Sequence, residues 1–373
     1  MMISVRRVKE AGLFLMAVCC LGILVGFPQA CADGIRKGLG YAGTVLIPSL
    51  FPYMVLSGWI MRSGADRLLN RGLAALTRHV FRLPEDAGAA IVLSMIGGFP
   101  VGARCIALLY KQHKISAEQA RRMLCFCVCP GPAFMLTAVG VLMLHNRRAG
   151  WILYLSQIVS CVILGIISGL TAVRKQNEPA KQRLKSDNET GGSFITYIIE
   201  ASSDGAQAII VMTALVILFS MVYQVTESSG ILMLISRTIH QTGADSRFVP
   251  VLTASFLEVT GGCDAVKKAG MPLYMYALCV GFGGMCVHFQ IFSMVRELSV
   301  SRGKYLLFRA ANALISAGIT YLICCFDRPT ADVFAVSGGA QAQVSAVSLT
   351  GSMALVVMSV VFVLSLHSGR TRV

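Results

Sequence analysis

The sequence predicts an all-α, polytopic membrane protein. Hydrophobic residues make up 55% of the 373 residues and charged residues only 14%, whereas a soluble domain carries about 25% charged residues. Several apolar segments approach or exceed the roughly 20 residues that a helix needs to cross a bilayer. These segments run continuously and do not alternate as membrane β-strands do. We therefore expect about eight spans plus two re-entrant or broken hairpins, arranged as two inverted repeats.

The order of the predicted elements follows from the apolar runs and their interruptions. Spans are expected at 11–27, 39–61, 123–144, 151–173, 206–224, 271–295, 305–326 and 346–366. Re-entrant hairpins are expected at 87–110 and 248–269, although hydropathy alone also allows full spans there. Pro48 and Pro52 predict that the second span is bent or broken. Ser116 and Gln119 form a capping-box pattern that predicts a helix start.

Two short stretches are predicted to be amphipathic helices on the membrane surface, 66–80 and 230–240. In the first, one helical face holds Leu69, Leu73, Leu76 and Val80, and the arginines lie elsewhere.

The same features divide the chain into five regions. Residues 1–33 hold an N-terminal transmembrane segment, which also resembles a signal peptide because a basic start precedes the apolar run and small residues follow it. Residues 34–173 form the first repeat and 174–203 a basic cytoplasmic linker. Residues 204–326 form the second, inverted repeat, and 327–373 hold an exposed loop and a C-terminal transmembrane segment.

The net charge of +15 is explained by the positive-inside rule. With a cytoplasmic N-terminus and two re-entrant hairpins, 21 of the 33 Lys and Arg residues fall on the cytoplasmic side and nine on the other. This asymmetry is typical of membrane proteins. No basic patch is interleaved with aromatic residues, so we expect a lipid bilayer as partner and no nucleic acid.

The thirteen cysteines do not predict a metal site or a disulfide framework. Most lie inside apolar runs, where they act as small hydrophobic residues. Cys125, Cys127 and Cys129 are spaced by two, which would scatter them around a helix, and we interpret them as packing residues. No nucleophile elbow, phosphate loop, zinc signature or dinucleotide fingerprint is found. We expect no metal, no cofactor and no enzymatic activity.

The interruptions of the first half carry candidate binding residues. Gly97 and Gly98 weaken a helix, and Pro100 removes a backbone donor. Backbone freed at membrane depth is tolerated only where protein or a water-filled cavity covers it. A merely kinked helix is the alternative. Arg104 would add positive charge near an open helix N-terminus, or would extend to the membrane surface. The candidates of this half are Gly97, Gly98, Pro100, Gly102, Arg104, Pro130 and Gly131.

The second half supplies the acidic candidate. Glu258 interrupts an apolar segment, and a charge at the bilayer centre costs about 2.5–3.5 kcal/mol on insertion scales. It could hold a cation or a proton or accept hydrogen bonds from a substrate; a structural ion pair with Arg104 or a lysine is the alternative. His288 could line the same cavity or be satisfied internally. The candidates of this half are Glu258, Thr260, Gly261, Gly262, Gly283, Gly284, His288 and Gln290.

Four motifs resemble the YlbJ family of sporulation integral membrane proteins, also called SpoVV. The first motif combines Gly-Leu-Gly-Tyr, which begins at Gly38, with Ile-Pro-Ser-Leu-Phe-Pro-Tyr, which begins at Ile47. The second motif begins at Gly97 and reads Gly-Gly-Phe-Pro-Val-Gly-Ala. The third begins at Phe256 and reads Phe-Leu-Glu-Val-Thr-Gly-Gly-Cys, and the fourth begins at Gly281 and reads Gly-Phe-Gly-Gly-Met-Cys-Val-His-Phe-Gln. The resemblance covers roughly residues 11–326. It also implies a relation to Gate-domain proteins, which include nucleoside transporters.

The resemblance implies a role in endospore formation. The family is thought to move dipicolinic acid, a small aromatic dianion, from the mother cell across the outer forespore membrane. Arg104 would suit its carboxylates, whereas Glu258 would repel them unless it is protonated or cation-bound. A nucleoside-type transporter and a non-transporting scaffold for spore assembly are the alternatives. The sequence leaves open whether the chain forms a homo-oligomer and whether a cation or proton is coupled to transport.

Overall fold

The computed structural model describes residues 2–171, 194–241 and 245–326, and all regular secondary structure within these ranges is helical. The predicted linker at 174–193, the C-terminal loop and the predicted span at 346–366 lie outside the described residues.

The described helices follow one another as two series. The first series consists of α1 Met2–Gly26, α2 Pro28–Tyr41, α3 Ile47–Ser63, α4 Asp66–His79, α5 Gly88–Gly97, α6 Phe99–Lys111, α7 Ala117–Leu124 and α8 Arg147–Leu170. It also contains π-helical segments at Ala42–Leu46 and Ala133–Met143 and a 3-10 turn at Glu85–Ala87. The second series consists of α9 Phe194–Ser228, α10 Ile231–Gln241, α11 Phe248–Leu257, α12 Val259–Lys268, α13 Leu273–Phe282, α14 Gly284–Met294 and α15 Arg302–Phe326.

Five helical stretches in the described residues are long and apolar enough to cross a bilayer. They are Pro28–Ser63, Arg147–Leu170, Phe194–Ser228, Leu273–Met294 and Arg302–Phe326. Glu10–Gly26, Ala133–Met143 and Phe248–Leu257 are shorter apolar helices. The predicted class, an all-α protein with several membrane spans, is therefore confirmed, while the count of eight spans stays a prediction.

Two of the interrupted segments are helical hairpins. A Cβ atom added to Gly102 on α6 would lie 2.8 Å from the Ser94 Cβ on α5, so residues four positions before and after Gly98 are in contact. In the same way a Cβ at Gly262 on α12 would lie 2.7 Å from the Ser255 Cα on α11. The arms of each pair thus lie side by side, as a re-entrant hairpin requires.

The other interrupted segments have a different shape. Leu273–Met294 is a single 22-residue span, broken where Gly283 and Gly284 take φ angles of +88° and +72°. Between α7 and the π-helical segment, residues 125–131 are unwound. Cys125 directly follows α7 and has helical φ and ψ angles, whereas Cys127 and Cys129 lie on non-helical backbone. The expected distribution of the three around one helix is therefore wrong; all three are buried.

The amphipathic helix α4 turns Asp66 and Asn70 toward the protein. Asp66 is fully buried and forms an ion pair with Lys114 at 2.9 Å. The Asn70 side chain accepts a hydrogen bond from the Ala89 N–H at 2.7 Å. Leu68 and Leu76 are exposed, so the apolar face is free to contact lipid. Its counterpart α10 exposes Met233, Leu234 and other apolar side chains in the same way.

Loop contacts separate into the two sides that the charge pattern predicts. Arg122 donates to the Phe81 carbonyl at 2.7 Å and Arg121 to the Ser299 carbonyl at 3.4 Å, all in segments predicted to be cytoplasmic. The contact of Lys37 with Gln224 at 2.5 Å joins segments assigned to the opposite side. The orientation itself stays a prediction.

Two predicted boundaries differ from the structure. Helix α2 starts at Pro28 and continues through a π-helical segment into α3, so the region around Pro48 and Pro52 is helical and not broken. Pro48 directly follows the π-helical segment and Pro52 lies inside α3, so each removes one backbone donor from the continuous helix. Helix α9 starts at Phe194, so the last ten residues of the predicted linker 174–203 are helical. Polar side chains there interrupt the apolar run, so hydropathy did not indicate the helix.

Small residues allow α2 to pack closely against α9. A Cβ atom at Gly34 would lie 2.5 Å from the Met221 Cα, and one at Gly38 would lie 2.7 Å from the Ile217 Cα. Ala30 and Ala42 continue the same face at four-residue spacing and are buried. Such small-residue faces allow helix backbones to approach within a membrane.

We predict that Gly38→Leu lowers the free energy of unfolding by about 1–3 kcal/mol, because the added side chain must force α2 and α9 apart. Gly40→Leu on the same helix is the matched control, since a Cβ there meets nothing within 4 Å. Thermal unfolding of the detergent-purified variants measures the difference. Equal midpoints for the two variants would contradict the close packing.

Candidate functional site

The breaks of both halves meet in one place. A Cβ at Gly131 would lie 3.1 Å from the Gly98 nitrogen, and one at Gly283 would lie 3.9 Å from the Phe99 ring. A Cβ at Gly284 would lie 3.2 Å from the Glu258 nitrogen. We call these six residues the central cluster: Gly98, Phe99, Gly131, Glu258, Gly283 and Gly284. The structure thus joins five of the predicted site residues, although they come from four separate segments.

Helix N-termini converge on the central cluster. Helices α6, α12 and α14 begin at Phe99, Val259 and Gly284, and the π-helical segment begins just after Pro132. The first N–H groups of a helix lack intrahelical partners, and the N-terminus carries roughly half a positive charge. These ends favour an anion, whereas the C-termini of α5, α11 and α13, which end at the same breaks, favour a cation.

Glu258 caps one of these helices. Its carboxylate accepts a hydrogen bond from the Gly261 N–H at 2.6 Å, and only 6% of the residue is exposed. Among the described residues it forms no ion pair with any Arg or Lys, so the alternative that it pairs with Arg104 is wrong. Tyr41 of α2 lies near Glu258 and Thr260.

Buried polar atoms near the breaks of the second half lack partners among the described residues. Ser255 Oγ and His288 Nε2 are buried and have no hydrogen-bond partner in the described part of the chain. Ser255 lies against Gly262 and its carbonyl against Gly284. Buried polar atoms are normally satisfied, so these atoms have unused capacity to bind water or a ligand.

Four other predicted residues have neighbours that explain them as packing positions. A Cβ at Gly102 would lie 2.0 Å from the Cys127 carbonyl, and a Cβ at Gly97 would lie 2.7 Å from the Val101 Cβ. Gln290 contacts Cys286 Sγ at 3.3 Å. His288 Nδ1 lies 3.3 Å from the Tyr305 hydroxyl, and its ring packs edge-on against Phe282.

The two predicted proline residues delimit breaks. Pro130 lies buried on the unwound backbone, and Pro100 lies in the first turn of α6. Neither residue contributes a backbone N–H, and so both are compatible with the start or the end of a helix.

Arg104 lies away from the cluster. It follows Gly98 by six residues, about 9 Å along the helix axis. Its guanidinium donates to the Met54 and Ala201 carbonyls at 3.2 and 3.4 Å and lies 3.6 Å from the Asp204 carboxylate. The residue is 8% exposed, so it neither extends to the surface nor reaches the break.

Arg104 and Asp204 belong to an ion-pair cluster that joins the halves. Arg62 of α3 pairs with Asp204 of α9 and lies 3.7 Å from Glu200. An open groove of about 420 Å³ lies beside this cluster, on the side that the charge pattern assigns to the cytoplasm. Its polar and charged lining includes Arg104, Lys111, Asp204, Gln207, Arg296 and Glu297.

Arg309 is the main residue that the sequence analysis did not propose. It is fully buried on α15, and its Nη1 donates to the Val128 carbonyl at 2.5 Å while its Nη2 donates to the Gly281 carbonyl. Its guanidinium carbon lies 5.7 Å from the centre of the Phe99 ring. The available signal was its charge inside an apolar span, the same signal that identified Glu258.

A polar network between α8 and α15 surrounds Arg309. The Asn312 amide donates to the Gly281 carbonyl at 3.0 Å and to Gln157 Oε1 at 3.1 Å. The Gln157 amide donates to the Ala277 carbonyl at 2.8 Å, and the Ser160 hydroxyl donates to Asn312 Oδ1 at 2.8 Å. The network ties the end of α13 to both long spans.

In the described residues no group of three His, Cys, Asp or Glu side chains could hold a metal ion. The candidate site consists of helix ends, glycine backbone and the oppositely charged, buried side chains of Glu258 and Arg309.

Fold and site together define the chain as a multi-pass helical membrane protein whose halves contribute interrupted helices to one buried cluster. The chain is 23% identical over 329 residues to the sporulation integral membrane protein YlbJ of Bacillus subtilis strain 168, a match that covers 80% of this chain and 79% of that protein. This similarity confirms the resemblance to the YlbJ family. No family model matches the chain, and no solved structure does. The relation to Gate-domain proteins stays a prediction.

We predict that Asp204→Asn destabilises the protein by about 1 kcal/mol or more, because it leaves Arg62 and Arg104 without their shared carboxylate. A high salt concentration should reduce this loss of stability, because Asp204 is partly exposed at the groove and salt screens exposed charges. Asp33→Asn is the control, because its pair with Arg36 is exposed. Thermal unfolding in 50 mM and 1 M salt measures both, and a stability equal to wild type in low salt would contradict the prediction.

Proposed function

We propose that this protein is a transporter that moves a small anionic solute across a bacterial membrane without chemically changing it. One observation carries the proposal: interrupted helices from both halves direct their N-termini at the buried central cluster. Discontinuous helices at a repeat interface are the usual way in which transporters build a binding site at mid-membrane. Irregular backbone at that depth is stable only when it is enclosed by protein or lines a cavity.

An anion fits the electrostatics of the cluster better than a neutral solute. The helix N-termini each favour negative charge, and Arg309 adds a full positive charge nearby. Glu258 opposes an anion, so a proton or a cation on this carboxylate would have to accompany it. This would couple the anion to an ion gradient.

Dipicolinate is the solute that we propose. The similar protein is named for sporulation, and dipicolinate is the small aromatic dianion that the family is thought to move. The groove beside Arg104 and Lys111 lies on the predicted cytoplasmic side, where a solute from the mother cell would arrive. The proposed location is accordingly the outer forespore membrane.

We predict that Glu258→Gln and Gly98→Leu each abolish dipicolinate uptake into proteoliposomes while the protein still inserts. Glutamine retains an oxygen that can accept from the Gly261 N–H, so α12 stays capped while the titratable charge is lost. Gly98 has φ +91° and ψ 179°, a conformation that is essentially restricted to glycine. Leucine there disturbs the break.

Glu227→Gln and Gly40→Leu serve as controls, because Glu227 is exposed and Gly40 has open space around it. Radiolabelled dipicolinate and a nucleoside are assayed side by side. Wild-type uptake in both variants would refute the site, and uptake of the nucleoside alone would refute the proposed solute.

We further predict that deleting the gene in its sporulating host lowers spore dipicolinate content and heat resistance severalfold, and that a plasmid copy restores both. Dipicolinate is measured by terbium fluorescence and heat resistance by survival counts. Expression of the Glu258→Gln variant should fail to restore either property. Normal dipicolinate and heat resistance after deletion would contradict a role in its import.

A further inference from the structure

We infer that Arg309 provides the fixed positive charge that binds a carboxylate of the transported anion. The inference rests on the proposed function and identifies the residue that makes the site selective for anions.

The first step is that Arg309 has no counter-ion. It is fully buried, and it forms no ion pair with any carboxylate in the described parts of the chain, where its contacts are carbonyl oxygens and an aromatic ring. A buried unpaired charge is costly, and natural proteins usually pair it or bind a ligand to it. An anion entering the cluster would supply the missing charge.

The second step is that Arg309 touches several breaks at once. Its donors reach Val128 on the unwound segment of the first half and Gly281 and Phe282 at the break of the second half. Its guanidinium lies over Phe99, the first residue of α6. A substrate bound where these breaks meet is therefore adjacent to the guanidinium.

The third step is that the Arg309 guanidinium has two N–H groups that these hydrogen bonds do not use. An arginine has five N–H groups in a planar fork, and the structure uses one toward each of three carbonyls. Nη1 and Nη2 each keep one N–H. This geometry suits a carboxylate, which can accept from both nitrogens.

The fourth step is that Arg309 and Glu258 of the central cluster are kept apart. Glu258 is capped by Gly261 and Arg309 is bonded to carbonyls, and the two side chains form no ion pair. If both residues had only a structural role, an ion pair between them would be expected, because pairing offsets the free-energy cost of burying each charge. Kept apart, Arg309 can bind the anion, and Glu258 can take a proton or a cation.

The test compares dipicolinate with its neutral diamide, pyridine-2,6-dicarboxamide, which has the same ring and nearly the same shape but no charge. Binding to the purified full-length protein is measured by titration calorimetry, and uptake is measured in proteoliposomes. We expect Arg309→Gln to weaken dipicolinate binding about 10- to 100-fold and to leave binding of the diamide unchanged. Arg309→Lys should keep most of the preference for the dianion because it keeps the charge. Arg36→Gln, an exposed site, should bind both ligands as wild type does.

A folded Arg309→Gln protein with the wild-type ratio of the two affinities would overturn the inference. It would also be overturned if Gln and Lys lost the preference equally together with thermal stability, because Arg309 would then be only a structural clamp. Wild-type protein that takes up no dipicolinate would instead refute the proposed function, and the inference with it.

A measurement on the wild type covers the case in which neither variant folds. Wild-type protein should bind dipicolinate about 10- to 100-fold more tightly than the diamide, because only the dianion is attracted by a fixed positive charge. Equal affinities for the two ligands would overturn the inference.

Discussion

The backbone groups freed at the helix breaks impose the constraint on which the rest of this structure depends. No water is available in the lipid core, and each unsatisfied backbone group there costs several kcal/mol. Side chains meet this requirement: Arg309 and Asn312 of the neighbouring helix α15 donate to the Gly281 carbonyl, and Glu258 caps its own helix by accepting from the Gly261 N–H. The buried polar residues of α8 and α15, which would be expensive in a plain bundle of spans, are thereby explained.

Glycine has a second role at these breaks, because it lets one broken segment lie directly on another. Gly98 and Gly131 contact each other through backbone atoms, and Gly284 contacts the backbone of Glu258 in the same way. Packed interiors switch between discrete arrangements more readily than they deform continuously. A change at one break would therefore displace its neighbour, which links the hairpins of the two halves without a long chain of side-chain contacts.

Local signals in the sequence were sufficient to predict the breaks of the central cluster, although Pro48 and Pro52 lie in continuous helix. The glycine pair at Gly98, the isolated charge of Glu258 and the capping box at Ser116 each act through near neighbours, and all three lie where they were expected. Neighbours far apart in sequence could not be predicted. Arg104 pairs with Asp204, and Arg309 bonds to Val128 across 181 positions. These contacts depend on how the halves pack, which hydropathy does not encode.

Under the proposed function, the two buried charges place an electrostatic condition on transport. An anion bound at Arg309 lies in a region of low dielectric together with Glu258, where repulsion between like charges is far stronger than in water. A proton or cation on Glu258 removes this repulsion, and the empty cluster in turn favours release of that ion once the anion has left. Binding of the two would then be cooperative by necessity, since each lowers the cost of the other's charge. The separation of Arg309 from Glu258 is what makes such coupling available, because an ion pair between them would neutralise both charges and leave neither free for the cargo.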